Sequence, residues 1–536
     1  MNHRLVIFAL GRLLQMLAGA MVVPTVIGYA EVWPAGPVAA LGDPRVSGFF
    51  LAITLSLVVG TMMTRAQRAH EGFASNAVRE GFAIVAFGWV LLTLFGALPL
   101  FVYFLYVRPA DSAGSVLHCF TDAFFEVMSG FTTTGATILT DIEQVPHGQL
   151  FWRSMTHWLG GMGIVTLVLA IFPAFGIAGY QMFRGEVPGP TAERLRPRLA
   201  QTAKILWWVY ALLTFAEALL LYLGGMTVFD SFCHAFGTMA TGGFSTRNAS
   251  IGAYESAYID WVVVVFMLLA GTNFMIHYSV LFTGRLGVLK HDREFRFYLS
   301  VITIAVLIGT GVVWVRGVVS PETALRSFRP YPKSEAEMSA HLEEEQQKVE
   351  TLPGAFRQAA FQVVSLTTTT GYATADFDVW PGALRLMFVV LMFFGGCAGS
   401  TGGGMKMIRV LVVLKAAIRQ VRQQIQPRSV VPVKVGGRAL PEGQVSGILG
   451  FFVMFVLLFV LLTLIMSFII PDFSTAVTAV VATICNIGPG LSGIGAVENY
   501  AWIPLGGKWI LSLSMLLGRL EVYTVLIAIS PISWRK

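Results

Sequence analysis

TTTGAT at 132–137, ATGGFS at 240–245, TTTGYA at 368–373 and CNIGPG at 485–490 are four versions of one short pattern. Each follows a hydrophobic helix and a short apolar descent, and each turns on a glycine. The descents, such as 120–131 and 474–485, run about twelve residues, too short for a bilayer core that needs roughly twenty in a helix. They must turn back partway. Non-helical backbone at that depth is tolerated only against protein or a water-filled cavity, so the turns line something wet. A descending helix points its carbonyl end toward the centre, where partial negative charge favours a cation. Glycine allows successive carbonyls to face one axis, because that backbone is closed to residues with a Cβ. Four such loops would build a ring of backbone carbonyls able to replace the hydration shell of a monovalent cation. For any single copy, glycine and threonine could instead serve close helix packing; four copies in one context argue for the pore.

Counting back from each glycine relates the copies. Phe125, Phe232 and Phe361 stand ten positions before Gly135, Gly242 and Gly371, with Thr478 at that place before Gly488. Thr134, Thr241 and Thr370 precede the first three glycines and Ile487 the fourth, which makes the fourth copy the divergent one. This register puts the ring at Thr133, Thr134 and Gly135; Ala240, Thr241 and Gly242; Thr369, Thr370 and Gly371; and Asn486, Ile487 and Gly488. Glycines recur in the helix after each turn: Gly160, Gly161 and Gly163; Gly271; Gly395 and Gly396; Gly518.

The rest of the chain agrees with a membrane setting. Of 536 residues 55% are hydrophobic and only 12% charged, with mean hydropathy +0.70; the bilayer must be the solvent for so much apolar surface. Ten stretches are long enough to span: 5–30, 46–64, 81–107, 149–175, 203–224, 257–283, 297–317, 381–414, 444–470 and 503–532. The first is too long for a signal-peptide core and lacks a cleavage site, so it reads as a retained helix. Lys and Arg are held back in cytoplasmic loops. Here they follow the even-numbered spans: Arg65, Arg68 and Arg79; Arg184, Arg194, Arg196, Arg198 and Lys204; Arg285, Lys290 and Arg293; Lys415, Arg419, Arg422, Arg428, Lys434 and Arg438. The intervening loops are poor in basic residues, apart from the Glu-rich mixed stretch 321–352. Both termini are expected inside, and the net charge of +7 is mostly this bias, with no call for a nucleic-acid partner. Cys119, Cys233, Cys397 and Cys485 lack metal-ligand spacing and read as buried small hydrophobes.

GFTTTGAT, the HWLGGMGIV segment at 157–165 and the closing GRLEVY at 518–523 resemble the TrkH branch of the Trk/Ktr/HKT superfamily of potassium transporters, and the likeness runs from the first span to the last. The resemblance implies an all-α polytopic membrane protein: four covalently linked helix–pore loop–helix repeats around a pseudo-fourfold pore, plus two extra N-terminal transmembrane helices. It divides the chain into the N-terminal pair at 1–80 and repeats at 81–200, 201–295, 296–440 and 441–536. The four glycines become a selectivity filter, shorter than that of tetrameric potassium channels and correspondingly less discriminating. The Gly-rich stretch 395–404 (Gly395, Gly396, Gly399, Gly402, Gly403, Gly404) is a very poor helix interior; it becomes an intramembrane gate loop below the filter. Arg519 matches an arginine of the same constriction, with Glu521 and the loop carbonyls as candidate partners. A tight helix crossing and a snorkelling arginine are the plainer readings of these two features. Asp141, Asp376, Asp378, Asp472 and Glu498 lie near the outer ends of the filters, where they could concentrate cations or be ordinary loop acids.

The implied function is potassium uptake across a bacterial inner (plasma) membrane, with potassium as the transported ion and no cofactor in the chain. Implied partners are membrane lipid, a second copy in a homodimer, and a cytosolic ring-forming nucleotide-binding regulatory subunit. A sodium-permeable or cation-coupled secondary transporter of the same architecture is the alternative; broken Gly-rich helices serve both, but such transporters usually carry inverted repeats. Enzymatic readings fail on inventory. GLSG at 490–493 fits an intramembrane serine protease motif, yet all nine histidines lie at or before His341. No G-x-x-x-x-G-K-[ST] is present. His157 and His277 read as packing or boundary residues.

Overall fold

The computed structural model describes residues 2–36, 41–66, 78–108, 115–161, 163, 199–320, 324, 328–330, 334–429 and 431–534. The far half of the expected span 149–175, and Arg68, Arg184, Arg194, Arg196 and Arg198, lie outside them. Among the described residues the regular structure is helical but for one hairpin, Lys434–Val435 against Arg438–Ala439. Gly436 and Gly437, at φ 58° and 83°, supply the two positive dihedrals that its two-residue turn demands.

Two helices precede the repeats. The first, α1 (His3–Val32), crosses α2 (Pro44–Arg65) closely: a Cβ on Gly11 would lie 2.8 Å from the Gly60 carbonyl oxygen, and one on Gly60 2.7 Å from that of Gly11. The helix α2 starts at the Asp43 cap, whose carboxylate accepts the Arg45 amide at 2.9 Å, with Pro44 in the first turn.

Four units follow. The first has α3 (Arg79–Val107), α4 (Val116–Phe131) and α5 (His147–Gly161). The second has α6 (Leu199–Leu223), α7 (Val228–Met239) and α8 (Ala257–Ala270), which bends by 102° into α9 (Phe274–Thr283). The third has α10 (Arg293–Arg316), an outer helix α11 (Glu335–Val349), α12 (Leu352–Thr367), α13 (Gly382–Met392) and α14 (Met407–Ile425). The fourth has α15 (Glu442–Ser467), α16 (Phe473–Ile484) and α17 (Leu505–Arg519), which bends by 111° into α18 (Tyr523–Ile529).

Among the described residues six helices are long and apolar enough to span, and the two bent pairs bring the number to eight. Ten were expected. One of the other two runs beyond the described residues; the second, 381–414, is split into α13 and α14 by the Gly-rich stretch. The short helices α4, α7, α12 and α16 have 16, 12, 16 and 12 residues. At 1.5 Å per residue they reach about 18–24 Å, short of a core of about 30 Å. Each begins on a polar cap whose side chain accepts the amide three residues on: Ser115 from His118, Thr227 from Asp230, Thr351 from Gly354, Asp472 from Thr475. These four helices are buried among the others, whereas α15 turns Val453, Leu457, Val460, Leu461 and Leu464 outward as a lipid-facing surface.

Candidate functional site

The four short helices end in one and the same turn. The second residue past each helix has positive φ: Thr133 at 52°, Thr241 at 55°, Thr369 at 62° and Asn486 at 56°. The next amide bonds back to the carbonyl five residues earlier, Thr134 to Ser129, Gly242 to Gly237, Thr370 to Ser365 and Ile487 to Ala482, each at 2.8 Å. A positive-φ residue with this backward bond is a helix C-terminal closure usually made by glycine. Three threonines and an asparagine there hold backbone strain, of order 1–3 kcal/mol each. A glycine with positive φ completes each turn: Gly135 at 81°, Gly243 at 80°, Gly371 at 82° and Gly488 at 98°.

The amides turned back into the helices leave the carbonyls free. Among the described residues, the backbone oxygens of 133–135, 241–243, 369–371 and 486–487 accept no hydrogen bond from the protein, while that of Gly488 takes the Tyr500 hydroxyl at 2.6 Å. Thr133, Thr134, Thr241, Thr369, Thr370, Asn486 and Ile487 are fully buried. Buried acceptors without donors are costly; water or a cation on the axis would satisfy them.

The loops close into a ring. A Cβ on Gly135 would collide with the carbonyl oxygen of Gly242, one on Gly243 with that of Thr370, and one on Gly371 with that of Ile487. One on Gly488 would lie 2.8 Å from that of Thr134. First meets second, second third, third fourth, and fourth first. Asn486 adds a bond from Nδ2 to Thr134 Oγ1 at 3.0 Å across the last junction.

This geometry corrects the register of the second copy by one residue. Gly243, not Gly242, matches Gly135, Gly371 and Gly488, so Thr241 matches Thr133 and Ala240 matches Thr132. The count through Phe232 misled because that ring is only half-buried against Phe215 and Phe236, while Cys233 takes the fully buried place of Phe125 and Phe361. Gly242 has its own requirement: a Cβ there would strike the His157 imidazole. His157 is a packing residue, stacked at 4.0 Å on Phe244.

In the corrected register polar side chains stand nine residues before three of the glycines, and each braces its own loop. Glu126 accepts Thr137 Oγ1 and the Ile138 amide, both at 2.8 Å. His234 pairs with Ser245 Oγ at 2.9 Å, and Gln362 bonds Thr374 at 3.3 Å. Ala479 occupies this place in the fourth copy, and its neighbour Thr478 takes over, bonded to the amide and carbonyl of Leu491. These braces were missed in the sequence, where the slipped register hid their alignment.

Below the ring, the Gly-rich stretch leaves the helix after α13 and folds back on itself: the Gly395 amide bonds Met405 O at 2.8 Å and the Met405 amide bonds Phe393 O at 3.1 Å. It touches the second, third and fourth units directly. The Gly403 amide donates to Thr369 Oγ1 at 2.6 Å. A Cβ on Gly403 would strike Cys485 O, one on Gly402 would come within 3.1 Å of Thr368 O, and one on Gly396 within 2.7 Å of Gly271 O. Gly399 O accepts the Phe274 amide at 3.0 Å, and Thr401 Oγ1 donates to Met239 O at 2.9 Å. Gly404 holds a positive φ of 58°. Arg519, half-buried at the end of α17, donates to Thr401 O at 2.7 Å and to Gly160 O and Gly161 O at 2.6 and 2.9 Å. It therefore ties the loop to the first unit and does not reach for an interface. Glu521, a candidate partner by sequence, instead accepts Arg409 at 2.7 Å. Two further residues fasten the loop: Glu294 accepts the Ala398 and Ile408 amides at 2.7 and 3.0 Å, and Lys406 donates to Gly402 O.

The outer acids are all engaged. Asp141 accepts Asn248 at 2.9 Å, Asp472 caps α16 and Asp378 pairs with Arg385 at 3.0 Å. Arg329 lies between Asp376 at 3.4 Å and Glu498 at 3.5 Å, and His341 of α11 meets Asp376 at 3.0 Å. Burial pushes the Asp376 carboxyl up, but the bond from His341 and the Arg329 charge outweigh it and hold it below the usual carboxylate range. The stabilisation this gives is present above the ordinary Asp range and is lost as pH falls through the lowered value. Arg329→Ala should cost about 3–5 kcal/mol, the usual penalty for leaving a buried charge unpaired; the thermal midpoint in detergent is the check, and an unchanged midpoint would exclude a structural role for this bridge.

The fold and the site together define a class: multi-pass helical membrane proteins in which four covalently linked helix–loop–helix units surround one axis. The profile of the TrkH family, described as a cation transport protein, matches residues 46–536. The chain is 38% identical over 537 residues to the Trk system potassium uptake protein TrkH of Escherichia coli K12, and 37% identical to that of Halomonas elongata, covering all of both proteins in each case. Trk system potassium uptake protein TrkG of E. coli K12 is 32% identical over 85% of the chain and 86% of its own length. The crystal structure of the potassium transporter TrkH from Vibrio parahaemolyticus superposes with a TM-score of 0.79 at 34% identity, over the whole of both chains. The chain belongs to the TrkH family of cation transport proteins.

Proposed function

We propose that this protein takes up potassium across the membrane through the ring at 133–135, 241–243, 369–371 and 486–488. The observation that carries this reading is the closed ring of buried carbonyls, all but that of Gly488 without donors among the described residues, in a chain whose full-length relatives are named potassium uptake proteins. Potassium sheds part of its hydration at these oxygens. The helix ends behind them add partial negative charge. Sodium is excluded only modestly, because three residues per loop offer few stacked carbonyl layers and the fourth loop, with Ile487 and Pro489, lacks the threonine hydroxyls.

Passage is then controlled by the 395–404 loop and Arg519 just inside the ring. The driving force is the membrane potential, about 2.3 kcal/mol per charge per 100 mV. We read 1–80 as the N-terminal pair and 81–200, 201–295, 296–440 and 441–536 as the four repeats. The excess of Lys and Arg after even-numbered spans puts both termini in the cytoplasm. Regulation comes from a cytosolic nucleotide-binding ring that meets the basic inner loops, and two copies form a homodimer with one pore each.

The test is complementation of a potassium-uptake-deficient cell, with rubidium and sodium fluxes measured in the same membranes. Rescue with rubidium flux above sodium flux is expected; expression at the membrane without either flux would overturn the proposal. Deleting residues within 399–404 should raise basal flux without the regulatory partner, and unchanged flux at normal surface expression would remove the loop from the gate.

A further inference from the structure

Among the described residues, one buried ion pair has no counterpart in the other repeats, where His234, Gln362 and Ala479 stand at the place of its acid. Glu126, on α4, and Arg153, on α5, meet at 2.6 Å and are 0% and 3% exposed. Arg153 does more than neutralise Glu126. Its Nη1 donates to the Ser245 carbonyl at 2.8 Å, and its guanidinium lies over the Phe244 ring at 3.6 Å, with His157 stacked on the same ring. Phe244 and Ser245 directly follow Gly243, the ring glycine of the second loop. Glu126, for its part, holds Thr137 and Ile138, two and three residues past Gly135, the ring glycine of the first. The pair therefore grips both loops at the same place, one to three residues beyond their ring glycines.

Gly160 and Gly518 allow Arg153 to be registered against the fourth unit, since a Cβ on either would strike the last carbonyl of its own short helix, Phe131 or Ile484. Seven residues before these glycines stand Arg153 and Leu511. Leu511 is fully buried, so an apolar side chain can fill this position. The ion pair is thus an addition to the fold. A charged pair this deep must recover a large desolvation cost through its hydrogen bonds; besides the bond between the two side chains, three end on residues of the two loops.

We infer that Glu126 and Arg153 are positioning residues that fix the spacing between the first and second loops and thereby set the preference for potassium over sodium. This rests on the reading of the four loops as the ion-coordinating ring. Carbonyls discriminate between ions of different size only while their separation is held, and groups that orient coordinating atoms are typically worth about 10–100-fold in affinity or activity when removed.

Arg153→Lys is the informative variant. It keeps the positive charge opposite Glu126, but one ammonium cannot replace a planar group that bonds Glu126, bonds Ser245 O and covers Phe244 together. The rubidium-to-sodium flux ratio should fall about tenfold, within the range usual for such supporting residues, at normal surface expression. The paired change Glu126→Gln with Arg153→Met removes both charges and should lower the ratio at least as far, which separates loop spacing from the field of a lone carboxylate. Gly135→Ser, measured alongside, keeps the two ideas apart. A wild-type ratio in Arg153→Lys together with a lowered ratio in Gly135→Ser would overturn the positioning role and leave the ring intact. Wild-type ratios in both would overturn the ring assignment and this inference with it.

Discussion

Gly135→Ser is expected to destroy most of the preference for potassium over sodium. The new Cβ would collide with the Gly242 carbonyl of the neighbouring loop, and φ at this position is 81°, a conformation that L side chains rarely adopt. The first loop can accept serine only by moving, and its carbonyls move with it. Strain of this kind is worth about 1–3 kcal/mol. If the distortion costs the bound potassium ion that much more than the sodium ion, the flux ratio falls by about 5–150-fold. Gly243→Ser, Gly371→Ser and Gly488→Ser should act in the same direction, because each of these glycines faces a carbonyl of the next loop. Rubidium and sodium uptake at matched surface expression is the check, and an unchanged ratio would count against the ring as the selective element.

Arg519→Ala should raise conductance. The guanidinium bonds Thr401 O on one side and Gly160 O and Gly161 O on the other, so it both holds the loop tip and adds a positive charge below the ring. A unit charge at roughly 8 Å in an effective dielectric of about 20 opposes a passing cation by about 2 kcal/mol. Removing it should increase unregulated flux by about 30-fold if that barrier limits passage. Arg519→Lys should give a smaller rise, since the charge stays while the three-carbonyl fork is lost. Single-channel or vesicle flux recordings decide the matter, with unchanged flux in Arg519→Ala removing this residue from the gate.

The architecture was readable in the sequence because it rests on features that physics makes conspicuous. Glycine turns inside apolar helices too short to span can be reconciled with a bilayer in few ways, and four copies reduce them further. The cap residues Ser115, Thr227, Thr351 and Asp472 carry a sequence signal too, since each starts a short helix. The stretch 395–404 was legible for a similar reason: so many glycines cannot stay helical. The register of the second loop was not, because 242–243 is a glycine pair and the marker residue Phe232 lies on a different helix face from Phe125 and Phe361. Three-dimensional geometry distinguishes them: Gly243 has a φ of 80° and faces the Thr370 carbonyl, whereas Gly242 faces the His157 ring.

Side-chain partnerships were the least legible. Glu294 and Ala398 are 104 residues apart, and Arg409 and Glu521 are 112 apart. Nothing local in the sequence announces either pair. Arg329 illustrates the opposite failure: acids near the pore mouth suggest a field that gathers cations, but here Asp376 and Glu498 share one arginine, and their charge is largely spent inside the outer cap.

The central claim is that the free carbonyls of the four loops coordinate the permeating ion. Rubidium anomalous scattering from crystals grown in a rubidium salt tests it most directly. The account predicts a peak on the axis, at coordination distance from the carbonyl oxygens of 133–135, 241–243, 369–371 and 486–487, which sodium does not reproduce at equal concentration. Rubidium density elsewhere in the membrane region, with the ring lacking a peak at saturating salt, would contradict it.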